Sequence, residues 1–292
     1  MWTVRVAMAA LYARGLKRPG DPSRKKRTAI EDAIRKASLG MAAGPSEVAE
    51  VLNEAGFWYE AQILQNVSLW QEASDNLSAG TLITTCCPDY PADWLHSLGE
   101  LAPPVLWKQG SMPVGKRVTI VGSRDINPET RSFAKKTAIA VSESGGVVVS
   151  GGARGTDRIA TSYGPAIEVW PCGILWGQRN KWGSEGASVL SPCAPNEPFS
   201  GVRAMERNLM LYALSPVSLV VHARFREGGS WQGAVEALRR KIGQICVPRS
   251  QEAGLIALAS LGATVIEDPK EVIALMNNPK PKEELQAELF AS

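Results

Sequence analysis

The chain has 292 residues, 45% of them hydrophobic and 21% charged. Those are the proportions of an ordinary globular protein, at a length that suits one large domain or two smaller ones. No stretch approaches the roughly 20 apolar residues that a membrane span needs, and the N-terminus lacks the pattern of a signal peptide, so no membrane partner and a cytoplasmic location are expected. The five cysteines are odd in number and form no C-x-x-C pair, which argues against a disulfide framework or a zinc site.

The net charge of +3 hides an asymmetry. Residues 1–27 carry eight Lys or Arg against Asp21 alone, a local net of +7, which leaves −4 on residues 28–292. If the chain binds nucleic acid, it does so with a local pocket or with this basic segment. The run "SRKKR" reads equally well as a solvated arm.

Residues 28–80 read as a helical module. "IEDAIRKA" puts Ile30, Ala33, Ile34 and Ala37 on one face. "PSEVAEVLNEAG" has Ser46 as the expected N-cap and Gly56 as the stop, and a third helix is expected through "FWYEAQILQNVSLW". Residues 81–112 read as strand, turn, short helix and strand.

From residue 117 the pattern becomes strand, glycine turn and helix, repeated. "RVTIVGSR" is followed by a helix capped at Asn127–Pro128. "GGVVVSGG", "AIEVWPCG", "ASVLS", "PVSLVVHA", "QICVP" and "ATVIE" read as further strands, most with a helix after them. Such alternation implies an α/β fold with a mainly parallel sheet covered on both faces, here spanning 81–278, with a loosely held tail at 279–292.

In an open parallel sheet, ligands bind at the carboxyl ends of the strands. Three turns fall at that edge: "VGSRD" (121–125), "SGGARGTD" (150–157) and "REGGSWQG" (226–233). A fourth segment, "FSGVRAMERN" (199–208), enters a helix with two arginines and an asparagine. Glycines at 122, 151, 152 and 229 let a phosphate approach backbone N–H groups. Ser123, Ser150 and Ser230 add hydroxyl donors, and Arg124, Arg154, Arg203 and Arg207 add charge and forked hydrogen bonding. Several such turns in a row fit the phosphates of a nucleic-acid strand. There is no G-x-x-x-x-G-K-[ST] loop, which disfavours a P-loop NTPase.

These stretches, "VTIVGSR", "VVVSGGARGTD", "FSGVRAMERNLMLYALSPVSLVV" and "GGSWQGAVEALRRKIGQICVP", occur in the order of the DprA/Smf family of DNA-processing proteins, and "TLITTCCPDYPADWLHSLGELAPPVLWKQG" resembles the segment before that family's core. The resemblance covers roughly residues 28–270. It implies an extended Rossmann-like fold that binds single-stranded DNA, a RecA-type recombinase loaded during natural transformation as partner, a homodimer, and neither catalytic turnover nor a cofactor. By position it implies nucleic-acid contacts from Gly122, Ser123, Arg124, Ser150, Gly151, Gly152, Arg207, Asn208, Gly229 and Ser230, with Gly155 and Asp157 also matching the second turn. The chain departs from the family pattern at Thr161, where the family has histidine, and at Leu209, the third residue of R-N-R, which removes one cation.

Other residues read as structural. His96 and His222 show no carboxylate at metal-ligand or relay spacing. Trp231 reads as a helix side chain packed on the sheet, with base stacking the alternative, and Trp176 and Trp182 flank a loop that could meet a base or a partner. Glu236 carries the runner-up function, because "EGGSWQGAVE" is similar to the glutamate-containing turn of nucleotide phosphoribohydrolases of the same fold.

Overall fold

The structure, a computed structural model, describes residues 1–13, 24–40 and 43–279. The chain divides into two compact units. One comprises residues 1–109 with Cys172–Ile174 and Ser191–Glu197; the other comprises Gly110–Pro171, Leu175–Leu190 and the chain from Pro198 onward. The first unit thus extends past the boundary read from the sequence at 80/81 to take in the β1–β2 pair, and the expected tail lies almost wholly outside the described residues.

The first unit contains α1 (Trp2–Tyr12), α2 (Arg24–Lys36), α3 (Pro45–Glu54), α4 (Trp58–Leu64), α5 (Val67–Ser78), β1 (Leu82–Thr84), α6 (Ala92–Leu98) and β2 (Val105–Gln109). β1 and β2 pair antiparallel, with Ile83 opposite Leu106. Where the sequence reading placed a basic segment, α1 is the centre of this unit. Val4, Val6, Ala7, Met8, Ala9 and Tyr12 are all buried, against α4, α5 and β1. A helix apolar on nearly every side belongs in a core. Several of the cations there have structural partners. Arg5 Nε donates to the Cys86 carbonyl at 3.1 Å, the buried Arg27 donates to the Ala102 carbonyl at 3.4 Å, and Lys26 pairs with Glu60 at 2.7 Å.

Two helix boundaries also differ from the sequence reading. α3 starts two residues earlier, at Pro45, with Gly44 as N-cap and its N–H donated to Glu47 Oε2 at 2.8 Å. The single helix expected over 57–70 is two, because Asn66 caps α5 by accepting from the Ser68 N–H at 3.1 Å. An asparagine side chain competes for backbone donors and so favours a cap over a helix interior.

The second unit runs β3 (Arg117–Val121), α7 (Pro128–Glu143), β4 (Val147–Ser150), α8 (Thr156–Ala160), β5 (Ala166–Val169), α9 (Ile174–Arg179), β6 (Ser188–Ser191), α10 (Gly201–Ala213), β7 (Val217–Val220), α11 (Gly228–Arg240), β8 (Gln244–Pro248), α12 (Ala253–Ser260), β9 (Thr264–Ile266) and α13 (Glu271–Asn277). Its strands lie in the order β6-β5-β4-β3-β7-β8-β9, every neighbouring pair parallel. This is the Rossmann-like α/β sheet that the strand and helix alternation predicts.

The centre of this sheet is buried on both faces, as parallel sheets require. Val118 and Ile120 of β3, Val148 of β4 and Val217 and Leu219 of β7 are buried. They share a cluster with Ala134, Ala138 and Val141 of α7 and with Val272 and Met276 of α13. The small alanines let α7 lie close to the strands. Two of the hydroxyls set into these strands are satisfied by neighbours. Thr119 Oγ1 donates to the Leu211 carbonyl of α10 at 2.8 Å, and Ser150 Oγ donates to the Ile120 carbonyl at 2.7 Å.

Strand order reverses direction at β3. The chain leaves β3 toward β4 on one side and returns from β6 to β7 on the other, which opens a crevice at the carboxyl ends of these strands. The glycine turns after β3, β4 and β7 all face it. Gly155 fixes the middle one. Its φ of +78° and ψ of −125° lie where only glycine is comfortable, and a Cβ there would collide with the Arg124 carbonyl oxygen. Gly155→Ala is therefore expected to destabilise the chain by roughly 1–3 kcal/mol from backbone strain alone, seen as a lower urea midpoint. An unchanged midpoint would show that the turn is not constrained in this way.

Candidate nucleic-acid interface

At the reversal of strand order lies a cleft of about 510 Å³. It is lined by the turn after β3 (Gly122, Ser123, Arg124, Asp125), by Ala153 and Asp157 after β4, by one face of α10, and by Arg224 and Glu227–Ser230 before and within the start of α11. The first N–H groups of α11, a helix of 13 residues, have no partners within the helix and carry the positive end of its dipole. The cleft therefore offers backbone donors, hydroxyls and guanidinium groups to an anion.

Of the residues proposed from sequence, Gly122, Ser123, Arg124, Arg207, Asn208, Gly229 and Ser230 line this cleft. Ser150, Gly151 and Gly152 are buried behind it. Arg154 is exposed on the turn between β4 and α8 but is not among the lining residues. Arg203 donates from Nη1 to the Pro198 carbonyl at 2.8 Å, which braces the entry to α10.

Two residues have a different character from the one their sequence context suggests. Arg207 is buried, with Nη1 donating to the Val169 carbonyl of β5 at 2.6 Å. A Cβ on Gly151 would run into both its guanidinium and the Asp157 carboxylate, so the glycine makes room for a charged pair under the turn. Asp157 Oδ2 also accepts from the Ala153 N–H at 3.2 Å. Burial pushes the Asp157 carboxyl up to about 6, against the pull of Arg207 and the Ala153 N–H. Asn208 Nδ2 donates to the Gly229 carbonyl at 3.0 Å, and a Cβ on Gly229 would meet that amide. Asn208 thus bolts α10 to the start of α11 and sets the third turn.

The charged side chains that line the cleft are Arg124, Arg207 and Arg224 against Asp125, Asp157 and Glu227. The cleft is balanced rather than uniformly basic. Arg224 was not singled out in the sequence because it sits in the loop after β7, outside any glycine turn.

Ser123 is not an isolated hydroxyl. Its Oγ lies 2.6 Å from His222 Nδ1, and His222 Nε2 lies 3.2 Å from Glu252 Oε2. This corrects the reading of His222 as lacking a carboxylate partner. Glu252 precedes α12, thirty residues downstream, and is brought in by the β7–β8 pairing. With the ring proton on Nε2, toward the carboxylate, Nδ1 is left to accept from the Ser123 hydroxyl.

The remaining residues fall clearly on the structural side. Trp231 is 9% exposed and meets Phe225 edge-on at 5.2 Å. Thr161, at the family's histidine position, donates to the buried Glu168 at 2.8 Å. Glu236 is not among the cleft residues and pairs with Arg239 and Arg240 on α11. These arginines hold its carboxyl below the usual range.

Comparison with known proteins agrees with this architecture. No curated protein matches the chain. Among solved structures, the X-ray structure of DNA processing protein A (DprA) from Streptococcus pneumoniae is similar with a TM-score of 0.62 at 19% identity, covering 93% of this chain and 96% of that one. DNA processing protein A from Helicobacter pylori, whose structure addresses its single-stranded DNA binding mode, is similar with a TM-score of 0.56 at 22% identity, covering 67% of this chain and 96% of that one. At such identities the likeness speaks for the fold. The family model for DNA recombination-mediator protein A matches residues 81–277, well over half of the chain, and on that match the chain belongs to the DNA recombination-mediator protein A family.

Proposed function

We propose that this chain binds single-stranded DNA in the cleft at the carboxyl edge of its parallel sheet, gripping the phosphate backbone. The observation that carries this reading is the convergence of three turns and the start of α11 on one cleft, with Arg124 and Arg224 exposed along it. The turns supply backbone donors at close range, and the two exposed guanidinium groups supply mobile charge. A linear array of donors suits consecutive phosphates better than a single one. The binding of single strands by the H. pylori relative supports the same assignment. Assistance to a RecA-type recombinase, in a homodimer, is the wider role that family membership brings with it.

The structure separates two arginines that look alike in sequence. Arg124 is exposed, whereas Arg207 is buried beside Asp157. Fluorescence anisotropy with a labelled oligo(dT), titrated at two salt concentrations, tests the reading directly. Affinity is expected to fall steeply with salt, because each neutralised phosphate of a single strand adds roughly −0.7 to the logarithmic slope. Arg124→Ala should weaken binding and flatten that slope by about 0.7 without moving the unfolding midpoint. Arg207→Ala should cost roughly 3–5 kcal/mol of stability, because it strands a buried carboxylate. Binding that ignores salt, or that a mononucleotide displaces as readily as an oligonucleotide, would overturn the proposal.

Asp157 gives the binding a pH signature. Its carboxyl, raised to about 6, contributes stability in its neutral form, fully present below the ordinary aspartate range and lost as pH rises through about 6. A phosphate in the cleft disfavours the ionised form further, so strand and proton bind together. Oligo(dT) affinity should rise as pH falls from 7.5 toward 5.5, and Asp157→Asn should flatten the profile. A wild-type profile that is already flat would show that Asp157 does not face the bound strand.

A further inference from the structure

Ser123 stands just past the end of β3, at a strand-to-helix turn on the carboxyl edge of the sheet, and lines the cleft. Its Oγ is 2.6 Å from His222 Nδ1, and His222 Nε2 is 3.2 Å from Glu252 Oε2. The three residues come from three separate loops: after β3, after β7 and before α12. Neither the imidazole nor the carboxylate lines this cleft, and the His222 side chain is 12% exposed. The hydroxyl meets the open space, and the ring behind it is largely shielded from bulk water.

Close approaches that a larger residue would block hold these groups in place. A Cβ on Gly122 would run into Thr156 and Val221, so glycine lets the turn after β3 lie directly against the end of β7. Thr156 donates to the Ser123 carbonyl from its N–H at 3.4 Å and from Oγ1 at 3.0 Å, and the Val221 N–H donates to the Val121 carbonyl at 3.0 Å. A Cβ on Gly254 would strike the Ala223 carbonyl, so α12 begins hard against the residue after His222. Glu252 is the N-cap of α12, yet its side chain makes no capping bond; the carboxylate goes to His222 instead. Groups fixed in this way give up little freedom on reaching a reactive geometry.

We propose that Ser123 is a nucleophile with His222 as its general base and Glu252 as the positioning residue, and that this end of the cleft cleaves a carboxylic ester carrying an anionic end. The imidazole is a base at Nδ1 as long as Nε2 keeps its proton, which the Glu252 carboxylate accepts as a hydrogen bond. Ser123 Oγ adds to the ester carbonyl carbon while its proton passes to Nδ1. The ester C–O bond then breaks, and that proton leaves with the alcohol. Water repeats the exchange on the acyl-serine: it gives a proton to Nδ1, the acid departs, and the proton returns to Ser123. At a strand-to-helix turn, the N–H after the nucleophile is a ready donor to the oxyanion. Here the Arg124 N–H donates to no backbone carbonyl among the described residues. The anionic end follows from Arg124 and Arg224, both exposed along the same cleft. This activity does not depend on the cleft binding DNA.

The test uses the full chain and two probes: a fluorophosphonate, with the labelled serine mapped by mass spectrometry, and 4-sulfophenyl acetate, an ester with an anionic end. The wild type should be labelled at Ser123 and should turn over the ester. Ser123→Ala should do neither, and it should stay folded because the Thr156 bonds go to the backbone carbonyl; an unchanged unfolding midpoint checks this. His222→Gln should slow labelling roughly a hundredfold or more. Glu252→Leu should slow it as well, and Glu252→Gln, which keeps an acceptor for Nε2–H, should recover part of the rate. A wild type that is not labelled at Ser123, labelling that is as fast in His222→Gln, or ester turnover that is equal in Ser123→Ala would each overturn the proposal. Labelling as fast in Glu252→Leu would overturn the role of Glu252.

Discussion

Three charged side chains of the second unit are buried among the described residues: Asp157, Glu168 and Arg207. Two of them converge on Gly151, where no Cβ fits. Burying charge is costly unless it is paired and hydrogen-bonded, and here the compensation is spread over three elements. Arg207 reaches from α10 to a β5 carbonyl, and Asp157 from α8 accepts an N–H of the second glycine turn. The turn after β4 therefore has no freedom to close over the cleft. The third charge, Glu168, holds the loop of Trp182 against the same turn. The shape of the site is set from beneath, by buried charges at its floor.

This arrangement also limits how tightly anions are attracted. A cleft with as many carboxylates as guanidinium groups attracts a polyanion through directed hydrogen bonds more than through its general field. Such a site depends on geometry and on the state of Asp157, in contrast to the uniformly basic grooves that bind nucleic acid by charge alone. The Ser123–His222–Glu252 line belongs to the same logic, since it ties a cleft hydroxyl to the neighbouring strand and to the start of α12.

Much of the second unit was legible in the sequence because its signals are local. Apolar β-branched runs ending in glycine mark parallel strands, and Asn127 before Pro128 marks the start of α7, where it accepts from the Thr130 N–H at 2.8 Å. What escaped was decided by distance along the chain. Arg207 looks like a surface cation in "RAMERN" until the topology carries α10 under the second turn. Ser123 and His222 are far apart in sequence and meet only because β3 and β7 are neighbours. In the first unit, "WTVRVAMAALY" has no polar face, and that signal of a buried helix was outweighed by the basic run after it. The cap at Asn66 was visible too, and the apolar periodicity on both sides concealed it.

The central claim is a location: a single strand lies along the carboxyl edge of the sheet in the second unit. The most direct measurement is photo-cross-linking of an oligonucleotide carrying 4-thiothymidine, followed by mass-spectrometric mapping of the attached peptides on the full chain. Attachment is predicted within residues 122–125, 199–208 and 224–230. Cross-links confined to the first unit, for example to the basic helix α2, would contradict the account and move the binding surface to the N-terminal unit.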